Sequence, residues 1–243
     1  DTVKAAIDEA HRVAITLNHT ATHLLQAALR QILGPEVEQK GSLVSDLRAR
    51  FDFSCAKGLT TQQLQQVEAL VNEKIRDNID VSAEWMSLEA ARKSGAMALF
   101  GEKYAAEVRV LSIGSFSKEL CGGTHVKRTG DIGCVKLVAE YGIANQVRRI
   151  EIVTGQAALT WINEQLTQLE DLAAMLKTPR ESLKDKVLQL FSDIKNGEKQ
   201  LSQMRLKVLQ HTSEELLARL EILKNIPCLI AAVEDVDGQS LRV

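Results

Sequence analysis

Two short stretches carry the residue types for metal chemistry: HTATH at residues 19–23 and CGGTH at residues 121–125. In a helix, side chains four positions apart share one face, so His19 and His23 can grip a single ion. Cys121 and His125 add a thiolate and an imidazole, and Gly122 and Gly123 between them allow the tight loop that brings both toward one point. Two ligands from a rigid helix and two from a glycine loop make four. Sulfur with imidazole nitrogen in a tetrahedral set selects Zn²⁺ over Mg²⁺ or Ca²⁺. Four protein ligands also suit a purely structural ion, since catalytic zinc more often keeps an open position. Neither motif contains a carboxylate to act as a general base.

The elements that must position these residues belong to an α+β domain, expected over residues 1–155. Helical periodicity fits residues 2–17, 19–33 and 60–79, with Thr60 and Thr61 as cap candidates for the last. Strand-like alternation fits 42–53, 81–87, 108–113, 134–140 and 147–153. Helices and strands do not alternate strictly, which favours a mostly antiparallel sheet with helices packed against one face. From residue 156 to 226 the texture changes to apolar residues at alternating spacings of three and four, interrupted at Pro179. Leu159, Ile162, Leu166, Leu169, Ala173 and Leu176 form one series. Leu183, Val187, Leu190, Ile194, Leu201, Met204 and Val208, continuing through Leu216, Leu220 and Leu223, form the other. This predicts a long helical hairpin whose seams pack together, its longer arm free to pair with a second chain as a homodimer. Pro227 should end that helix, and residues 227–243, with a short β-type run over 228–233, read as the truncated start of another module.

Composition narrows the class. The chain has 243 residues, 45% hydrophobic content and net charge −2. Acidic and basic residues balance over the first 155 positions, so RNA contact must come from local clusters. No apolar run is long enough for a membrane span and no signal peptide is evident, so a cytoplasmic piece excised from a longer protein is expected. Cys55, Cys121, Cys134 and Cys228 lie far apart in a chain too large to need disulfide staples; outside the CGGTH motif they are expected as small buried groups.

HTATH followed about a hundred residues later by CGGTH resembles the editing domain of alanyl-tRNA synthetases, shared with free-standing relatives and related to that of threonyl-tRNA synthetases. The stretch QKGSLV at residues 39–44 and the run 142–155, including Arg148, resemble the same family. The helical segment followed by IPCLIAAV is similar to the linker and start of the C-terminal domain of the bacterial enzymes. The resemblance implies hydrolysis of the ester in tRNA(Ala) mischarged with serine or glycine, with no aminoacylation by this piece itself. Its partner would be the acceptor end of that tRNA and its cofactor Zn²⁺.

That chemistry demands a pocket whose buried polar groups pair only when the substrate hydroxyl is present, because an apolar pocket cannot exclude an isostere. By resemblance Thr22 and Gln39 are the pocket candidates, and Cys121 is catalytic as well as a ligand. Lys127 and Arg128, directly after His125, and Arg148 are the candidate tRNA contacts. Arg148 and Arg149 must point to opposite faces of a strand, so only one can face the pocket. The competing reading is a zinc-stabilised tRNA-binding or oligomerisation module without its own catalysis.

Overall fold

A computed structural model describes residues 3, 6–98, 104–230 and 232. Its backbone divides into two compact units, residues 1–167 and 168–243. The first unit is α+β with antiparallel sheets, as expected. It opens with helix α1 (Glu9–Leu33), capped by the Asp8 side chain, which accepts from the His11 amide at 3.0 Å. A strand pair follows, β1 (Gln39–Val44) and β2 (Ala49–Ser54), then helix α2 (Thr61–Arg76). Thr60 starts α2 through a reciprocal capping box with Gln63. Next come β3 (Val81–Ser87), the short helix α3 (Leu88–Lys93), β4 (Glu107–Ile113) and β5 (Ser117–Leu120). After a 3₁₀ turn over Thr129–Ile132, β6 (Val135–Ala144) and β7 (Val147–Thr154) lead into helix α4 (Gly155–Met175).

Two antiparallel sheets result, ordered β1-β2-β7-β6 and β3-β4-β5. Alternation decides which face is inside. Ala49, Phe51 and Phe53 of β2 stand opposite Ile152, Ile150 and Arg148 of β7, and the five apolar members of this set are buried. Against that face pack Leu24, Leu25 and Leu29 of α1 and Val67, Val71 and Ile75 of α2. Each fully buried side chain of this kind contributes about 1.5–3 kcal/mol. A smaller core of Ala91, Val108, Val110 and Leu120 lies between α3 and the three-stranded sheet.

Three expectations are corrected in detail. The two N-terminal helices are one, because Asn18, which reads as a boundary residue, is buried and spends its polar atoms outside the helix. Its amide donates to Ser45 O at 2.8 Å and its carbonyl accepts from Thr154 Oγ1 at 2.8 Å. The single strand over 42–53 is a hairpin, broken where the Ser45 hydroxyl bonds to both backbone groups of Arg48. The third lies at the end of the second unit. There helix α5 (Leu183–Leu217) forms as expected, but it ends ten residues before Pro227. Leu220 to Leu223 are therefore not helical. Glu221–Leu223 (β8) and Ile226–Cys228 (β9) pair around Lys224 and Asn225, both at positive φ, a hairpin turn that asparagine accepts readily.

Nor is the apolar seam of α5 closed. No residue of α5 is buried, and Val187, Leu190, Ile194, Leu201, Met204 and Val208 are all exposed. Cys228, expected inside, is exposed too, and all four cysteines are free. Of the β-type run expected over 228–233, residues 231 and 233 lie outside the described residues, as does the rest of the chain to 243. Among the described residues no helix is long and apolar enough to cross a membrane.

Candidate metal centre

The first unit brings the two motifs together. His19 and His23 lie one turn apart on α1; Cys121 and His125 lie on the loop that leaves β5. One ligand atom from each of the four falls within 4.8 Å of every other. Cys121 Sγ is 3.5 Å from His19 Nε2 and 3.2 Å from His125 Nε2. A tetrahedral zinc with bonds of 2.0–2.3 Å needs donor separations of about 3.5 Å. The three imidazole rings converge, with centroids 4.3–5.2 Å apart.

The chain orients its donors before any ion is considered. His23 Nδ1 donates to Glu119 Oε2 at 2.8 Å, and Glu119 is itself held by Ser117 Oγ at 2.8 Å. This leaves His23 Nε2 facing the cluster, buried and without a hydrogen bond. An orphaned buried nitrogen is costly unless something binds it, so this atom fits a metal. The same logic fixes His125. Thr20 Oγ1 gives its one proton to Thr16 O at 3.0 Å and accepts from the Val126 amide at 3.1 Å, so toward His125 Nδ1, at 3.3 Å, it can only accept. The proton then sits on Nδ1 and the Nε2 lone pair points to the cluster. A carboxylate or hydroxyl behind a ligating histidine is the arrangement that tunes metal sites.

The loop is held equally firmly. Arg109 Nη1 donates to Cys121 O at 3.1 Å and to Gly123 O at 2.5 Å, while the Cys121 amide donates to Arg109 O at 3.0 Å. Gly123 lies so close to His19 that a Cβ there would overlap the imidazole ring. Gly122 has open space, so of the two glycines only Gly123 is needed for close approach.

Without an ion, the charges are lopsided. Burial opposes a charged His23, yet the Glu119 carboxylate and the Cys121 sulfur outweigh it and push the imidazole up to about 10. Burial alone would raise the Cys121 thiol, but the imidazoles of His125, His19 and His23 bring it down to about 3. Burial lowers His125. The metal-free centre is thus a thiolate beside an imidazolium: Cys121 is already in the state a cation requires, while His23 must first lose its proton.

Beside the centre lies a cavity of about 270 Å³ lined by Gln26, Arg30, Val37, Glu38, Gln39, Met97 and Ala98. Gln26 is three residues beyond His23, about 4.5 Å along the helix. On the other wall, the Leu120 amide, next to Cys121, donates to Met97 O at 2.8 Å. Of the two pocket candidates, Gln39 lines this cavity, its amide donating to Ser42 Oγ at 3.1 Å. Thr22 is buried and donates to Asn18 O at 2.8 Å, the bond back along the helix that is common for such residues.

The three candidate cations fall in different settings. Lys127 is exposed, and its carbonyl accepts from the Val81 amide. Arg128 is exposed but tied locally, 3.4 Å from Asp80 and donating to Asn78 O. Arg148 donates to Glu140 at 2.5 Å and runs beside Gly58 and Gly142. Arg149 takes the other face of β7 and pairs with Asp52, so the two arginines diverge as the strand requires. Reading the motifs alone missed Glu119, Ser117, Thr20 and Arg109. For Glu119 a signal existed, since alternation in Ser117-Lys118-Glu119 turns two polar residues inward beside Cys121.

Residues 108–151, spanning β4 to most of β7, match the family model described as the threonyl and alanyl tRNA synthetase second additional domain. The chain is 54% identical over 240 residues to the alanine–tRNA ligase of Legionella pneumophila (strain Lens), covering 99% of this chain and 28% of that protein. It is 49% identical over 243 residues to the alanine–tRNA ligase of Saccharophagus degradans and 47% over 242 residues to that of Nitrosococcus oceani. In each case the whole chain matches and spans 28% of the relative's length.

Proposed function

Because the chain is homologous over its whole length to one segment of alanine–tRNA ligases, we propose that it is the proofreading part of such an enzyme, in the cytoplasm. It would hydrolyse the ester that joins serine or glycine to the terminal adenosine of tRNA(Ala). The observation that carries this reading is the four-donor centre together with a cavity walled by Gln26, one turn beyond His23 on the same helix. Hydrolysing one ester while sparing a near-identical one needs a charged anchor and a selective pocket in contact, and here they share a helix.

The donor set favours Zn²⁺, with His19, His23, Cys121 and His125 as its ligands. A bound zinc supplies positive charge to position the substrate's amino group and to assist attack on the ester carbonyl. The chain's own residues do the rest. Glu119 and Thr20 hold two imidazoles in one tautomer. Arg109 keeps the glycine loop against α1. Gln39 meets the amino acid in the cavity, and Thr22, beside His23 in the chain, supports it from α1. Lys127, Arg128 and Arg148 contact phosphates of the acceptor end, which positions it without reading sequence. The exposed α5 face supports self-association of the chain.

A second reading has its own support, since four protein donors complete a tetrahedron and suit a structural ion that merely staples an RNA-binding module. Both readings bind one zinc, so metal content does not separate them. Serine release from Ser-tRNA(Ala), beside alanine release from Ala-tRNA(Ala), does. Rapid release of serine, abolished by Cys121→Ala or His19→Ala, is expected; full activity in a Cys121→Ala chain that still held its metal would refute the hydrolytic reading.

A further inference from the structure

Among the described residues, four polar side chains line the cavity near the metal centre, and three are already engaged. Arg30 donates to Val37 O at 2.7 Å, Glu38 accepts from Lys40 at 2.8 Å, and Gln39 donates to Ser42. Gln26 differs. It is only 6% exposed, it opens on the cavity, and its carboxamide makes no hydrogen bond to any described residue. Its amide atoms are accessible from the cavity, so donor and acceptor are both open to whatever fills it, ligand or water.

Resting on the proofreading reading, we propose that Gln26 is a specificity-determining residue, the group through which the cavity accepts serine and glycine and refuses alanine. A carboxamide can donate to and accept from one hydroxyl, which matches a serine side chain. Glycine leaves room for water where a side chain would sit. Water then satisfies Gln26 in its place. Alanine does neither, because its methyl group displaces that water without replacing its hydrogen bonds. One buried amide thus sorts the smallest and the most polar of three amino acids from the one of intermediate size. Thr22 is less suited to this task, since its proton is committed to Asn18 O and it does not line the cavity.

The test compares the zinc-loaded full chain with Gln26→Leu and Gln26→Asn on tRNA(Ala) carrying serine, glycine or alanine. In Gln26→Leu, serine release falls at least tenfold while alanine release rises, so the serine-to-alanine ratio drops by more than tenfold. Glycine release changes less than serine release, and Gln26→Asn restores part of the ratio. A uniform fall for all three substrates, or an unchanged ratio, would overturn the proposal. Binding of non-hydrolysable 3′-seryl-amido and 3′-alanyl-amido adenosine reports on Gln26 separately. If the unaltered chain released no amino acid, the proofreading reading would fail. The seryl preference, and its loss in Gln26→Leu, would still decide whether Gln26 reads the hydroxyl.

Discussion

Each of the four donors depends on a neighbour that is not itself a donor, and substitutions there separate orientation from ligation. Glu119→Gln keeps the shape behind His23 but weakens the acceptor that fixes its tautomer. Metal affinity should fall about 10–100-fold, the usual effect of changing such a partner, as read by competition with a chromogenic chelator. Gly123→Ala forces a methyl group into the His19 ring, so affinity should drop at least as far while the far-ultraviolet spectrum stays unchanged. The protonation states give a third expectation. Between about pH 3 and about pH 10 the metal-free pair is Cys121 thiolate and His23 imidazolium. Zinc requires neutral imidazole, so each ion bound near pH 7 expels about one proton, and it comes from His23 rather than from Cys121. Apparent affinity should therefore rise about tenfold per pH unit across the neutral range and weaken as pH falls. Titration calorimetry in buffers of differing ionisation enthalpy measures the proton count; a count of zero, or of two or more, would contradict this assignment.

Helix α1 is where fold and site meet, since one side of it packs on the sheet and the other carries the donors. Removing Phe51 from the sheet face beneath it, as Phe51→Ala, should cost about 3–5 kcal/mol in denaturant unfolding. Asn18→Ala strands Thr154 and the Ser45 carbonyl and should cost roughly 1–3 kcal/mol although no apolar contact is lost. The same residue explains the limits of reading elements from sequence. Periodicity located α2, β3, β4 and β7 closely, because their apolar spacing and caps are local properties. It split α1 at Asn18, because nothing local says that a polar side chain will be satisfied by Ser45 and Thr154. The four donors were legible because spacing on a helix and glycines in a loop are local signals as well. Thr20, Arg109 and Gln26 were not, since their roles arise only when β4, β5 and α1 are brought side by side, and for Glu119 only the inward alternation beside Cys121 was local.

At the scale of the whole chain, α5 poses a separate problem: a 35-residue helix with a continuous apolar face and no buried residue. In heptad terms Val187, Ile194, Leu201 and Val208 repeat every seven residues, with Leu190, Gly197 and Met204 between them. An antiparallel pairing with a second copy, centred on Gln200, sets Asp193 opposite Lys207 and Lys186 opposite Glu214 of that copy, each pair equidistant from the centre. Its core layers, centred one residue earlier at Lys199, stack Ile194 on Met204 and Leu190 on Val208, and leave Leu201 the space at Gly197. A parallel in-register pairing has no such charge match, because Asp193 would then lie beside Glu198 of the other copy, a like charge. The expected result is a dimer by light scattering at micromolar concentration and a monomer for Ile194→Lys. Asp193→Lys alone should weaken the dimer and Asp193→Lys with Lys207→Asp should restore it, whereas a parallel dimer, with Glu198 beside position 193, would not be weakened by the single change. The candidate metal centre lies in the other compact unit, so these variants should bind metal as the unaltered chain does; metal binding that fell with dissociation would mean that the second copy contributes to the site.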